Sequence, residues 1–256
     1  MNTLLFAIFP YIAMAVFVVG LVWRYRYDKF GWTTRSSQLY ESKLLRIGSP
    51  LFHFGILFAV VGHAMGLLIP KSWTDWMGID QHTYHLVAVV GGLVAGVMIV
   101  VGFAILVFRR RTTKAVFNAT TWNDKIMYLL LGIVIVTGMW NTIGTTLDDT
   151  YNYREGVSPW FRSIFTFNPQ PELMADAPLQ FKLHGISAFL LVLIWPFTRL
   201  VHVFSAPIGY LTRPYIVYRS AGHRGGALGS TPEHLWDKPG WDGQRPGTRK
   251  GEKTGS

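Results

Sequence analysis

The sequence predicts an all-α integral membrane bundle of five transmembrane helices. Half of the 256 residues are hydrophobic, 15% are charged, and five apolar runs reach spanning length. A soluble globular chain carries roughly 25% charged residues, because charge keeps it solvated, whereas a bilayer penalises charge. About 20 apolar residues at about 1.5 Å rise cross a hydrocarbon core of about 30 Å. Any one such run could be a buried helix of a soluble protein. Five in one chain argue against that.

The first run, Leu4–Trp23, lacks a charged flank before it and is too long for a secretory signal, so it reads as a retained helix. The second, Leu51–Ile69, follows Ser49-Pro50, and the third, Tyr84–Phe108, stops at Arg109-Arg110-Arg111. Ile126–Leu147 is the fourth, and Leu183–Phe204, with a kink position at Pro196, is the fifth. Between the last two, Ser158-Pro159 has the form of an N-cap and a first-turn proline. Trp160, Phe161, Ile164 and Phe165 then recur at helical spacing until Pro169 and Pro171, which predicts an amphipathic helix lying on the outer leaflet. Residues 1–220 are expected to form the membrane domain. Residues 221–256, rich in Gly, Pro and charge, are expected to be a polar and largely disordered tail. Trp236 and Trp241 there could contact a partner, and His223 and His234 read as surface residues.

The formal net charge of +10 could suggest nucleic acid. Its placement points to a membrane surface instead, so no nucleic-acid partner is expected. Arg24, Arg26, Lys29, Arg35, Lys43 and Arg46 follow the first run, Arg109, Arg110, Arg111 and Lys114 follow the third, and Arg213, Arg219 and Arg224 follow the fifth. The loop after the second run sets Lys71 against Asp75 and Asp80. The loop after the fourth sets Arg154 and Arg162 against Asp148, Asp149, Glu155, Glu172 and Asp176. Basic and acidic connections alternate, which predicts an N-terminus outside and a C-terminus in the cytoplasm. Trp23, Trp73, Trp76, Tyr128 and Trp140 near the run ends fit interfacial belts.

The chain has no cysteine, which excludes disulfides, thiolate-bound clusters, zinc ribbons and a thiol nucleophile. Ionisable side chains in a spanning helix cost a few kcal/mol each, so those present need a function. His53 and His63 lie on the second run, His184 and His202 on the fifth. The two runs cross in opposite directions, so depth pairs His53 with His202 and His63 with His184. Each pair can supply two axial imidazoles to one haem, giving two b haems stacked across the membrane. The ten residues from His53 to His63 rise about 15 Å and the eighteen from His184 to His202 about 27 Å. Parallel straight helices could not match both levels; tilt or a kink at Pro196 would have to absorb the difference.

Gly55, Gly62, Gly66 and Gly185 beside the histidines would let a porphyrin approach the backbone, and ordinary small-residue helix packing explains them as well. Arg199, one turn before His202, is placed for a haem propionate or for snorkelling to headgroups. His82 and His85, at the outer start of the third run, could accept protons from a quinol or form a solvated helix end.

With these residues in view, the chain resembles the gamma subunit of respiratory nitrate reductase, a dihaem membrane cytochrome b. The resemblance covers roughly residues 5–220. It is carried by Ser49-Pro50-Leu51-Phe52-His53-Phe54-Gly55-Ile56-Leu57 through Val61-Gly62-His63, by Phe181-Lys182-Leu183-His184, and by Pro196-Phe197-Thr198-Arg199-Leu200-Val201-His202. Pro207, Tyr210-Leu211-Thr212-Arg213 and Arg35-Ser36-Ser37-Gln38 are similar too. The resemblance implies that menaquinol or ubiquinol is oxidised near an outer, distal haem on His63 and His184. Electrons would then pass to an inner, proximal haem on His53 and His202, and on to cytoplasmic iron–sulfur and molybdenum subunits that reduce nitrate. It also implies a multi-pass protein of the bacterial cell membrane. The family can carry a lysine near the start of the third run. This chain reads Asp80-Gln81-His82-Thr83-Tyr84-His85 there, leaving His82 and His85 as candidates for that place. The rival readings are a dihaem anchor for a heterodisulfide- or sulfite-type reductase, a haemless proton-relaying transporter, and a haemless scaffold.

Overall fold

A computed structural model describes residues 1–28, 41–147 and 151–205. Arg35–Gln38, Asp148, Asp149, Pro207, Tyr210–Arg213, the tail histidines and tryptophans, and residues 221–256 lie outside the described residues. Among the described residues there is no strand. Five helices are long and apolar enough to cross a membrane: Leu4–Tyr27, Lys43–Leu68, Gln81–Thr112, Trp122–Leu147 and Leu179–Phe197. These are the first to fifth spans below. Val18, Val19, Val60, Val94, Val97 and Val136 point outward and exposed along them, as lipid-facing side chains do.

The second span begins eight residues before the predicted Leu51, with Pro50 inside it. Its start is built from charge. Glu41 Oε1 accepts the Leu44 N–H at 2.8 Å, while Arg109, 2% exposed, donates from Nε to Glu41 Oε2 at 2.6 Å and from Nη2 to the Glu41 carbonyl at 2.7 Å. Residues read as connecting loop are therefore a capped first turn. The fourth span starts on a reciprocal cap: the Thr121 N–H donates to Asp124 Oδ2 at 3.0 Å and the Asp124 N–H to Thr121 Oγ1 at 3.2 Å.

The fifth span departs from the expected continuous helix. It is α-helical over Leu179–Ile194, then passes through 3₁₀ turns at Trp195–Phe197 and Arg199–Val201 into the short His202–Ser205 helix. Pro196 has no N–H, and its ring crowds the turn before it. Thr198 is extended, at φ −116° and ψ 176°, so the chain changes direction there.

In space the second span lies against the third, the third against the fourth, the fourth against the fifth and the fifth against the first. The second and third are the most tightly meshed. A Cβ on Gly48 would lie 2.8 Å from Ile105 Cγ2, one on Gly55 2.9 Å from the Ile99 nitrogen, and one on Gly102 2.6 Å from the Phe52 nitrogen. Glycine at these positions lets the two backbones touch.

The Ser158-Pro159 segment does form a helix, Val157–Phe165, but not one lying on lipid. Trp160 is 2% exposed and Ile164 fully buried, in a core with Phe6, Met174 and Ala177. Trp160 Nε1 donates to the Phe6 carbonyl at 2.7 Å, Tyr11 Oη to the Ile164 carbonyl at 2.9 Å, and Ser158 Oγ to the Gly66 carbonyl at 2.8 Å. Trp160 and Ile164 face protein because the first, second and fifth spans converge beneath them, while Phe165 stays exposed. Periodicity alone does not tell that core from a bilayer. The Ser158 hydroxyl is no cap either; Gly156 holds the N-cap position.

Candidate functional site

Two levels of the bundle bring histidines of the second and fifth spans face to face. The imidazole centroids of His63 and His184 are 5.9 Å apart with planes at 30°, and those of His53 and His202 are 6.0 Å apart at 67°. Elsewhere these two spans are not a close-packed pair among the described residues.

The break in the fifth span removes the mismatch of levels. His184 and Ile194 are ten residues apart, as are His53 and His63, so regular helix covers the same rise on both sides. The seven residues between Ile194 and His202 are folded into turns rather than stacked as further helix. Those turns expose carbonyls that water would normally satisfy, and two neighbouring spans and the turns' own Trp195 satisfy them instead. Arg24 Nη1 donates to the Pro196 carbonyl at 2.7 Å and the Thr198 carbonyl at 3.3 Å, Asn123 Nδ2 to the Phe197 carbonyl at 3.1 Å, and Trp195 Nε1 to the Leu200 carbonyl at 3.0 Å. Gly20 makes room for this arrangement, since a Cβ there would stand 2.7 Å from Pro196 Cβ.

All four rings are held at Nδ1. His53 Nδ1 lies 2.7 Å from the Ser49 carbonyl, His63 Nδ1 2.6 Å from the Ala59 carbonyl and His202 Nδ1 2.7 Å from the Arg199 carbonyl. A carbonyl can only accept, so each Nδ1 carries the proton and each Nε2 is the unprotonated nitrogen. His184 reaches the same state through a side chain. Thr137 Oγ1 donates to the Ile133 carbonyl at 2.8 Å and therefore accepts from His184 Nδ1 at 3.1 Å. Ser187 Oγ lies 3.4 Å from the same hydroxyl. Four Nε2 atoms with fixed tautomers are the donor set that a metal-bound imidazole needs.

The separations fit one iron between each pair. Two metal–nitrogen bonds of about 2.0 Å, with about 1.1 Å from each nitrogen to its ring centre, place centroids about 6.2 Å apart. Beside His63 the backbone is open to an approaching group: a Cβ on Gly62 would meet nothing within 4 Å. The other three glycines serve packing. Gly55 abuts Ile99, Gly66 abuts Tyr153 and Gly185 abuts Trp160. Among the described residues no three His, Cys, Asp or Glu side chains cluster as a non-haem metal would need.

Arg199 grips a carboxylate of the chain itself. Its Nε and Nη2 donate to Asp124 Oδ1 and Oδ2, both at 2.6 Å, and Asp124 is 4% exposed. This two-pronged pair ties the His202 turn to the start of the fourth span. His82 and His85 fall in the first two turns of the third span, His82 exposed and His85 half-buried, and the structure does not bring them onto the paired rings. Asp80 caps that helix by accepting the Thr83 N–H at 3.1 Å, and Thr83 holds its carboxyl below the usual range.

Sequence reasoning missed Thr137, Ser187, Asp124, Arg24 and Asn123 as supports of the site. Asp124 left a signal, the Thr121-x-x-Asp124 capping spacing just before the fourth apolar run; a threonine in a span usually bonds its own helix and leaves none.

The pattern of the nitrate reductase gamma subunit matches residues 2–221. The chain belongs to that family. The nitrate reductase gamma chain of Bacillus subtilis is 44% identical over 216 residues, covering 84% of this chain and 97% of that one. The respiratory nitrate reductase 1 gamma chain of Escherichia coli is 33% identical over 227 residues, covering 86% and 98%. The nitrate reductase-like protein NarX of Mycobacterium tuberculosis H37Rv is 56% identical over 222 residues. That match covers 86% of this gamma-family chain and 34% of the relative, so the chain spans about a third of the relative's length.

Proposed function

We propose that the chain is the dihaem cytochrome b subunit anchoring a respiratory nitrate reductase in a bacterial cell membrane. The observation that carries this reading is the two facing imidazole pairs at 5.9 and 6.0 Å, at two depths of one membrane bundle. His63 and His184 would hold a distal haem b, His53 and His202 a proximal one. Bound there, the two groups would supply one-electron transfer from the outer to the cytoplasmic side.

The chain's own contribution follows from its residues. Carbonyls and the Thr137 hydroxyl fix the tautomers. The face carrying the 69–80 and 148–178 connections would be the outer one, and the face of Arg109-Arg110-Arg111 the cytoplasmic one. Quinol oxidation at the outer face would yield quinone, two electrons and two protons. His82 or His85 would take those protons and release them outward. Arg199, oriented by Asp124, would lie at the propionate edge of the proximal site. Nitrate would be reduced on cytoplasmic iron–sulfur and molybdenum partners, since a chain without cysteine has no thiolates for clusters. The gamma-chain relatives from Bacillus subtilis and Escherichia coli support nitrate rather than another terminal acceptor.

Membranes holding the chain with its partners test this directly. A quinol should reduce the b-type absorbance, and added nitrate should reoxidise it. Reduction without reoxidation by nitrate would assign the anchor to a different reductase.

A further inference from the structure

Among the described residues, Arg154 is a buried cation without a carboxylate partner. It is 3% exposed. Its Nη2 donates to Thr74 Oγ1 at 2.6 Å, its Nη1 to Gln81 Oε1 at 3.3 Å, and its Cζ stands 3.7 Å over the Tyr84 ring, while Nε has no partner. Every group it touches is neutral. The adjacent Glu155 is turned to Lys71 at 2.7 Å instead. A buried charge left unpaired costs several kcal/mol, so a fold that keeps one has an anion for it to meet.

The location indicates which anion. Tyr153, the preceding residue, bridges the two helices that carry the His63–His184 pair. A Cβ on Gly66 would lie 3.2 Å from its hydroxyl, and its ring stacks on Phe181 at 6.3 Å and 23°. Gly66 is three residues after His63 and Phe181 three before His184, so the cluster sits one turn beyond that pair. Burial, then Tyr84, pushes the Tyr153 hydroxyl up and keeps it a neutral donor. A second cation is close: Arg162 Nη1 donates to the Leu67 carbonyl at 2.9 Å, and burial and the charge of Arg154 both push its pKa down.

We propose that Arg154, with Arg162 behind it, is the counter-charge for the propionate carboxylates of the distal haem and sets that haem's reduction potential. The inference rests on the dihaem reading. A guanidinium fork with an unused N–H suits a carboxylate, and a nearby cation favours the reduced state, which carries one more electron.

The test is a redox titration of both haems in the membrane-bound complex, comparing wild type with Arg154→Gln. Both haems should remain. The distal reduction equilibrium should fall at least tenfold, about 59 mV for a one-electron couple, with the proximal one moving much less. Arg154→Lys keeps the charge without the fork and should give a smaller fall at the same haem; it decides the matter if the Gln variant does not assemble. Thr74→Val removes a hydrogen bond but no charge and should leave both potentials in place. A distal potential unchanged in the folded Arg154 variants overturns the proposal, as does an equal shift of both haems. An altered quinol KM with unmoved potentials would also overturn it and give Arg154 to the quinol instead. Failure of the dihaem reading looks different: the wild type itself would lack one or both haem signals.

Discussion

His184 stands within regular α-helix and His63 closes one, just before a π-helical turn at Ala64–Leu68, whereas His202 opens a short helix that follows two 3₁₀ turns beyond the break at Pro196. At the first pair the geometry is set mostly by helix regularity, with one side-chain contact from Thr137 completing it. At the second, His53 also stands on regular helix, but the backbone that carries His202 has no long helix ladder of its own. Arg24, Asn123 and the Arg199–Asp124 pair hold it from two other spans. One bundle thus builds similar imidazole separations in two ways, locally at one level and through tertiary polar contacts at the other. Damage to remote polar residues should therefore reach the His53–His202 level first.

The largest effect is expected at the rings themselves. His63→Ala should remove the distal haem signal and lower quinol oxidation by roughly a hundredfold or more. A variant that kept both signals and full activity would refute the ligand assignment. Next comes Asp124→Asn, which strands Arg199 and should cost about 3 kcal/mol. Heating should bleach the proximal signal before the distal one, and equal loss of both would erase the contrast between the two levels. Thr137→Val removes the acceptor for the His184 Nδ1–H and should weaken distal haem retention roughly tenfold, read as haem lost on dilution in detergent.

Glycines give a finer contrast. Gly55→Ala should loosen the meshing of the second and third spans by about 1–3 kcal/mol while leaving haem spectra in place. Gly62→Leu should disturb the distal spectrum with little effect on helix packing. The smallest effect belongs to Lys71→Ala, because the Lys71–Glu155 pair is exposed and such pairs contribute little. Lys71 holds the Glu155 carboxyl below its ordinary range, so whatever the pair adds is present at neutral pH and lost as acid titrates Glu155 through that lowered pKa. Thermal unfolding at pH 7 should be indistinguishable from wild type.

The five spans and the four paired histidines were legible in the sequence for one reason. Long apolar runs and ionisable groups within them are costly in any other arrangement. Pro196 marked the break for the same kind of local reason. The supports were not legible. Arg24 and Asn123 reach the fifth-span turns across more than seventy residues of sequence, and Arg24 read only as one of many basic loop residues. Trp160 and Ile164 showed a helical stripe, but the stripe carries no information on whether lipid or protein covers it. Gly55 and Gly62 looked alike as small residues. Only the position of Ile99 separates a packing glycine from one beside open space.

The central claim is that imidazoles from the second and fifth spans clasp iron at two levels, and a reduced-minus-oxidised spectrum of the purified complex with haem quantified per chain tests it most directly. Two low-spin b haems per chain are predicted. A colourless protein, or one haem per chain, would contradict it.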